Sequence, residues 1–243
     1  MQTGLYPYGV PAMEEKFLEK PVTFPFRSRE VDRQFRENRS GNTPVVEIAD
    51  DSFSNSPTEE AILTEGIAYI GRNAFSGCNK LHQVVLPISI EEIEDSAFEN
   101  CSSLKSISLP MALKTIGDAA LKGTGLRTIE IPKSVFWLGN GLVADCQSME
   151  HVTIPENIGR IPDRMFEGCT SLKKVELHEK LGAIGERAFF GCSSLDFIVI
   201  PDSVNQIGKD AFTNTEKQFI IQCSFGSYAE EYARKNKFKY QLV

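Results

Sequence analysis

From residue 67 onward the chain repeats itself about every 23 residues, with the same positions apolar or small in each copy. The unit reads I-x-x-I-G-x-x-A-F-x-G-C-x-x-L-x-x-V-x-I-P-x-S and is cleanest over residues 67–89 and 181–203. Phe75 and Phe98, then Phe166 and Phe189, keep step with it. A period of this length constrains the fold more than any local propensity does. One unit cannot bury its apolar face alone, so the units must stack into a solenoid. In register the copies are 67–89, 90–112, 113–134, 135–157, 158–180 and 181–203, with a last one opening at Val204; the third is one residue short. Residues 45–66 fit loosely, with Ile48, Phe53 and Leu63 in the apolar columns, as a degenerate first coil would. The expected organisation is an N-terminal cap or arm over 1–44, a degenerate coil over 45–66, regular coils over 67–203, and a last coil with a C-terminal cap over 204–243.

Each column has a physical reason. Leu81, Val84 and Leu86 form an L-x-x-L-x-L strand segment in which Val84 and Leu86 point inward and Gln83 and Val85 outward by the period of two. Stacked copies of it make a parallel sheet. Pro87, Pro110, Pro132, Pro155 and Pro201 close five of those strands, because proline cannot donate to a ladder. The Ala-Phe pairs at 74–75, 97–98, 188–189 and 211–212 suit a short helical turn that plants one ring in the core. Three residues past each alanine position comes Gly77, Asn100, Asp145, Gly168, Gly191 or Asn214, residue types that tolerate a left-handed backbone.

The repeat consensus strongly resembles the BspA-like branch of the leucine-rich repeats, over roughly residues 45–243. The resemblance implies a curved β-rich solenoid, with a parallel sheet on one face and short helical turns and strands on the other. It also implies an adhesin-like protein, on the cell surface or secreted, that binds other proteins and uses no catalytic residue or cofactor. Two departures fall in the middle of the chain: copy three has Leu121 and Thr124 in the Phe and Cys columns, and copy four replaces Ala-Phe by Leu142-Val143.

A net charge of −7 and the lack of a Lys/Arg-rich face argue against nucleic acid or an anionic membrane as the partner. The longest apolar runs are a few residues, too short to span a bilayer as a helix. The first residues, Met1-Gln-Thr-Gly-Leu-Tyr, lack the basic and apolar stretches of a secretory signal, so a cytoplasmic location stands beside the surface one.

In the N-terminal 44 residues, 13–20 and 28–39 have the spacing of short amphipathic helices, separated by an extended stretch over 21–26. They read as a packing cap, a binding arm or a tail. At the other end, Ser227 and Glu230 form a capping box that opens a helix to about Lys235, and Phe238, Tyr240 and Leu242 alternate as a closing strand.

Chemistry-bearing residues follow the repeat. Cys78, Cys101, Cys146, Cys169 and Cys192 occupy one column and read as a buried ladder of thiols. Parallel side chains fit a disulfide dihedral poorly, and a line of ligands does not converge on a zinc ion. His82, His151 and His178 lie in three different columns with no nucleophile at a recurring distance. No catalytic, cofactor or metal site is expected.

Recognition therefore falls to the variable columns. The outward strand positions are Gln83/Val85, Ser106/Ser108, Thr128/Glu130, His151/Thr153, Lys174/Glu176 and Phe197/Val199, a polar sheet with apolar ends. In the columns after each unit's first apolar residue, copy four carries Phe136 and Trp137 and copy one Tyr69, where other copies are polar or small. The aromatic residues read either as a contact site or as packing that fills the irregular middle. The sequence supports a monomeric protein-recognition module, with a self-associating structural subunit as the alternative; the partner's identity is not encoded in it.

Overall fold

The computed structural model describes Phe26–Arg29 and residues 45–243 apart from Lys217. Within these residues the chain is a stacked series of coils with two strand-bearing faces, a turn face and a continuous apolar core. The helix expected over 13–20 and most of that over 28–39 lie outside the described residues. Ser28 and Arg29 are extended instead, because strand Phe26–Arg29 pairs antiparallel with Val45–Ile48 and the ladder satisfies their backbone groups.

The L-x-x-L-x-L segments form the first sheet face. Glu60–Ile62 pairs in parallel with Gln83–Val85. Thr128–Glu130 pairs with His151–Thr153, and that with Lys174–Glu176. Phe197–Val199 pairs with Ile220–Cys223, and that with Lys239–Leu242. Ser106 and Ser108 are outward and exposed, but residues 105–109 form no strand, and no backbone hydrogen bond joins them to a neighbouring coil. The interruption adjoins the shortened turn of coil three, where a Cβ on Gly125 would stand 2.4 Å from the Ser102 carbonyl oxygen.

The second face carries shorter strands: Val45–Ile48, Ile67–Ile70, Glu92–Ile93, Thr115–Ile116 and Trp137–Leu138, paired in that order. After a break, Arg160–Ile161, Ala183–Ile184 and Gln206–Ile207 continue it.

On the third face the expected helical turns are replaced. The Ala-Phe segments are chains of i→i+3 turns, such as Ala74 N–H to Gly71 and Cys78 N–H to Phe75. Helix cannot propagate because two residues per coil are left-handed. The Gly77 column behaves as expected, with φ from 59° at Asp145 to 75° at Gly191. A second left-handed column was not expected: Asn73, Ser96, Ala119, Arg164, Arg187 and Asp210 have φ of 52° to 57°. The alternate N–H groups freed by this geometry reach the next coil. One series runs unbroken from Asp51 N–H to the Arg72 carbonyl, Asn73 to Asp95, Ser96 to Asp118, Ala119 to Asn140, Gly141 to Asp163, Arg164 to Glu186, and Arg187 to Lys209. Two parallel series begin at Phe53 and Asn55 and run as far.

Inside, Phe53, Phe75 and Phe98 stack at centroid distances of 5.0 and 5.2 Å, and Phe166, Phe189 and Phe212 at 5.2 Å. The six cysteines are buried and free. Column thiols donate to the carbonyl of the ring position one coil back, as Cys101 Sγ does to Phe75 O (3.1 Å) and Cys192 Sγ to Phe166 O (3.1 Å). Burial raises both thiols to about 12.

Helix Tyr228–Asn236 closes the C-terminal end. Ser227 Oγ accepts from Glu230 N–H at 3.2 Å, and Glu230 Oε2 accepts from Gly226 N–H at 2.7 Å. The carboxylate is buried and also meets Arg234 at 2.7 Å. Phe238 and Tyr240 pack against the core, whereas Leu242 is exposed, so the alternation expected there ends one step early.

Candidate recognition surfaces

The first sheet face sorts its residues by the pleat. In Gln83–Val85, Thr128–Glu130, Lys174–Glu176 and Phe197–Val199 the central residue is buried and its flanks are exposed. His151 is half-buried and its Nε2 lies 3.3 Å from Thr153 Oγ1. The sequence-derived positions of this face therefore point outward, carried on three short sheets. Two exposed apolar ends flank it. Val85 is joined by Ile62, which the sequence reading missed because the coil that carries it is degenerate; Phe197 and Val199 form the other end. Between them lies polar surface. Lys174 Nζ sits 2.7 Å from Glu176 Oε1, and this hydrogen bond holds the Glu176 carboxyl below its ordinary range. His82 approaches Glu60 at 3.7 Å and Lys173 approaches Glu150 at 3.6 Å.

The aromatic set divides. Phe136 and Trp137 are 64% and 62% exposed, Trp137 opening a strand and Phe136 just before it, with the backbone of both held to the preceding coil. They do not fill the irregular middle. Tyr69, in the same column as Trp137, is only 5% exposed and leaves the surface set. Its cross-strand neighbour Glu47 is buried as well, so this face is closed at the N-terminal end of the sheet and open at coil four. Two further exposed apolar residues, Ile88 and Met111, occupy consecutive corners after the strand-closing prolines; the later corners carry Lys133, Glu156, Glu179 and Asp202. The column alignment contained this signal.

On the turn face, Ala119, Gly141 and Ala144 leave a depression of 270 Å³ rimmed by Lys122, Asp145, Arg164 and Glu167. Its charges already have partners, Glu167 with Arg187 at 2.6 Å and Lys122 with Glu99 at 3.2 Å. Among the described residues no three His, Cys, Asp or Glu side chains converge as a metal site, and no helix is long and apolar enough to cross a membrane.

Comparison with known proteins agrees with this architecture. The pattern of the BspA type leucine rich repeat region matches in six copies, over residues 39–150 and 95–218. A leucine-rich repeat protein from Bacteroides ovatus superposes with a TM-score of 0.69 at 28% identity, covering 82% of this chain and 55% of its own. The chain thus spans little more than half the length of that protein. A leucine rich repeat protein from T. pallidum superposes with a TM-score of 0.57 at 25% identity, covering 82% of this chain and 80% of its own. A search of curated proteins found no match.

Proposed function

The chain belongs to the BspA type leucine-rich repeat family, and on that premise we propose that it is a non-catalytic, adhesin-like module that recognises a protein partner through its first sheet face. The observation that carries the reading is the pleat of that face. Every second side chain is buried and fixes the frame, while its exposed neighbours change from coil to coil without a packing role. Five steps of about 4.8 Å separate Val85 from Val199, roughly 24 Å, the breadth of an ordinary protein interface. Exposed aromatic and β-branched residues at both ends supply apolar anchors, and the polar centre supplies register. Placement at the cell surface belongs to the same proposal.

The test is binding to a partner captured by the full chain and then purified. Charge reversal by His151→Asp with Lys174→Glu, and separately Phe197→Ala, should each weaken that complex by about 1 kcal/mol or more. Stability should move by no more than about 0.5 kcal/mol, since Lys174 and Phe197 are exposed and the half-buried His151 lies outside the core. A partner held equally well by both variants would remove the first sheet face from the proposal.

A further inference from the structure

Residues 105–109 of coil two run where a strand of the first sheet face belongs, yet they form none. Among the described residues their backbone groups have no hydrogen-bonding partner. The edges on either side are unpaired toward them as well: Gln83–Val85 is joined to Glu60–Ile62 and Thr128–Glu130 to His151–Thr153, each on its far side. Ile107 is half-buried, whereas Val84, Ile129, Val152, Val175 and Ile198 in the same column are 8% exposed or less. Where other coils present the β-branched Val85, Thr128, Thr153 or Val199, coil two presents Ser106 and Ser108, which favour a pleated strand less. Both ends of the segment are nonetheless fixed. Leu104 is fully buried and its N–H donates to Cys101 O at 3.0 Å; Pro110 is buried and accepts from Leu113 N–H at 3.0 Å. The other faces stay joined across the same coils, through Glu92–Ile93 on the second face and through Asn73 N–H to Asp95 O and Ser96 N–H to Asp118 O on the turn face.

We propose that residues 105–109 are a strap that closes into a strand between Gln83–Val85 and Thr128–Glu130, and that its closure sets the curvature of the first sheet face. Open, the backbone groups of the strap are hydrogen-bonded to water; closed, they complete two parallel ladders. Such an exchange changes free energy by little per bond, so both arrangements are within reach. The strap lies between the apolar end formed by Ile62 and Val85 and the polar centre that begins at Thr128. Its closure makes one ladder from Glu60–Ile62 to Lys174–Glu176 and fixes the coil spacing between these two regions at about 4.8 Å. A partner that touches both regions binds the fixed spacing better and shifts the strap toward the closed arrangement. That use rests on the reading of the first sheet face as the recognition surface; the strap itself does not.

Hydrogen exchange of the full chain, followed amide by amide by NMR, tests the strap without a partner. In the free chain the amides of 105–109 should exchange at least roughly tenfold faster than those of His151–Thr153, a strand paired on both sides. Ser106→Val with Ser108→Val should slow the strap amides by roughly fivefold, because β-branched residues favour the pleat. Ser106→Thr with Ser108→Thr serves if the valine pair aggregates. The amides of Gln83–Val85 and Thr128–Glu130 that face the strap should slow in step, which local stiffening of the strap alone would not produce. Strap amides as slow as those of His151–Thr153 in the parent would mean that the strand is already made, and the inference falls. It falls equally if neither pair of substitutions slows the strap, or if the strap slows without its two facing edges. The His151→Asp with Lys174→Glu variant should leave this exchange pattern unchanged, so a failed partner test and a failed strap are read separately.

Discussion

In the outer coils, Phe75 with Phe98 and Phe166 with Phe189 stack ring on ring, whereas in coils three and four Leu121 and Val143 take the ring positions and the aromatic column stops. Leu121, Leu142 and Val143 are nonetheless fully buried. Coil four keeps its volume by exchanging a small-large pair, alanine and phenylalanine, for two residues of middle size, which a core tolerates. The second face breaks after Trp137–Leu138, whereas the first runs unbroken through coils three and four and lapses on either side, after Gln83–Val85 and after Lys174–Glu176. The turn face continues throughout: its inter-coil hydrogen bonds pass through both irregular coils. Side-chain columns and strand ladders can lapse for a coil or two where the turn backbone remains joined.

The largest effect that would test this contrast is loss of a ring. Phe189→Ala removes a side chain stacked on both neighbours and should cost about 3–5 kcal/mol in denaturant unfolding. Leu121→Ala lacks stacked partners and should fall near the low end of about 2–5 kcal/mol. If Leu121→Ala proves the more damaging, the middle coils are not the more adaptable ones.

A smaller effect concerns glycines on the turn face. Gly168→Ala, at φ 74°, would place Cβ 2.4 Å from Asp145 Oδ1 in addition to a left-handed cost of about 1–2 kcal/mol. Gly141→Ala, at φ 61° in the middle, meets nothing nearer than 3.8 Å and should cost about 1 kcal/mol, as Ala119 at φ 54° in the same column suggests. Equal losses in thermal melts would mean that crowding does not distinguish the regions.

The smallest effect is alkaline. Cys101 and Cys192 are held protonated up to about 12 by burial, so the folded state keeps protons that the unfolded state releases. Their contribution is complete below about pH 9, the unfolded value, and is lost as pH rises from there through about 12. Melting temperature should fall over that window, and a Cys101→Ala, Cys192→Ala double variant should show a shallower fall. Burial also raises Cys146 in the middle, but the Thr124 hydroxyl bonded to it at 3.2 Å opposes the rise, so Cys146→Ala should flatten the curve less.

The solenoid, its register and the Gly77 column were legible in the sequence because each rests on residue type repeated at fixed spacing. The second left-handed column was not, since Ser96, Ala119 and Arg164 carry no such preference; inter-coil hydrogen bonds set their conformation. Tyr69 was misplaced on the surface because its burial depends on the non-repetitive N-terminal end, where Glu47 lies beside it. The exposed positions of the first sheet face followed directly from the period of two.

The three hydrogen-bonded series of the turn face give the molecule an electrical direction. In each, the N–H of one peptide group points toward the C-terminal coils and its carbonyl toward the N-terminal ones, so the peptide dipoles add head to tail as they do along an α-helix. The N-terminal end of the turn face therefore carries partial negative charge and the C-terminal end partial positive charge. Adding a coil lengthens this dipole without changing its sense. Two such molecules side by side are repelled when they point the same way and attracted when they point oppositely.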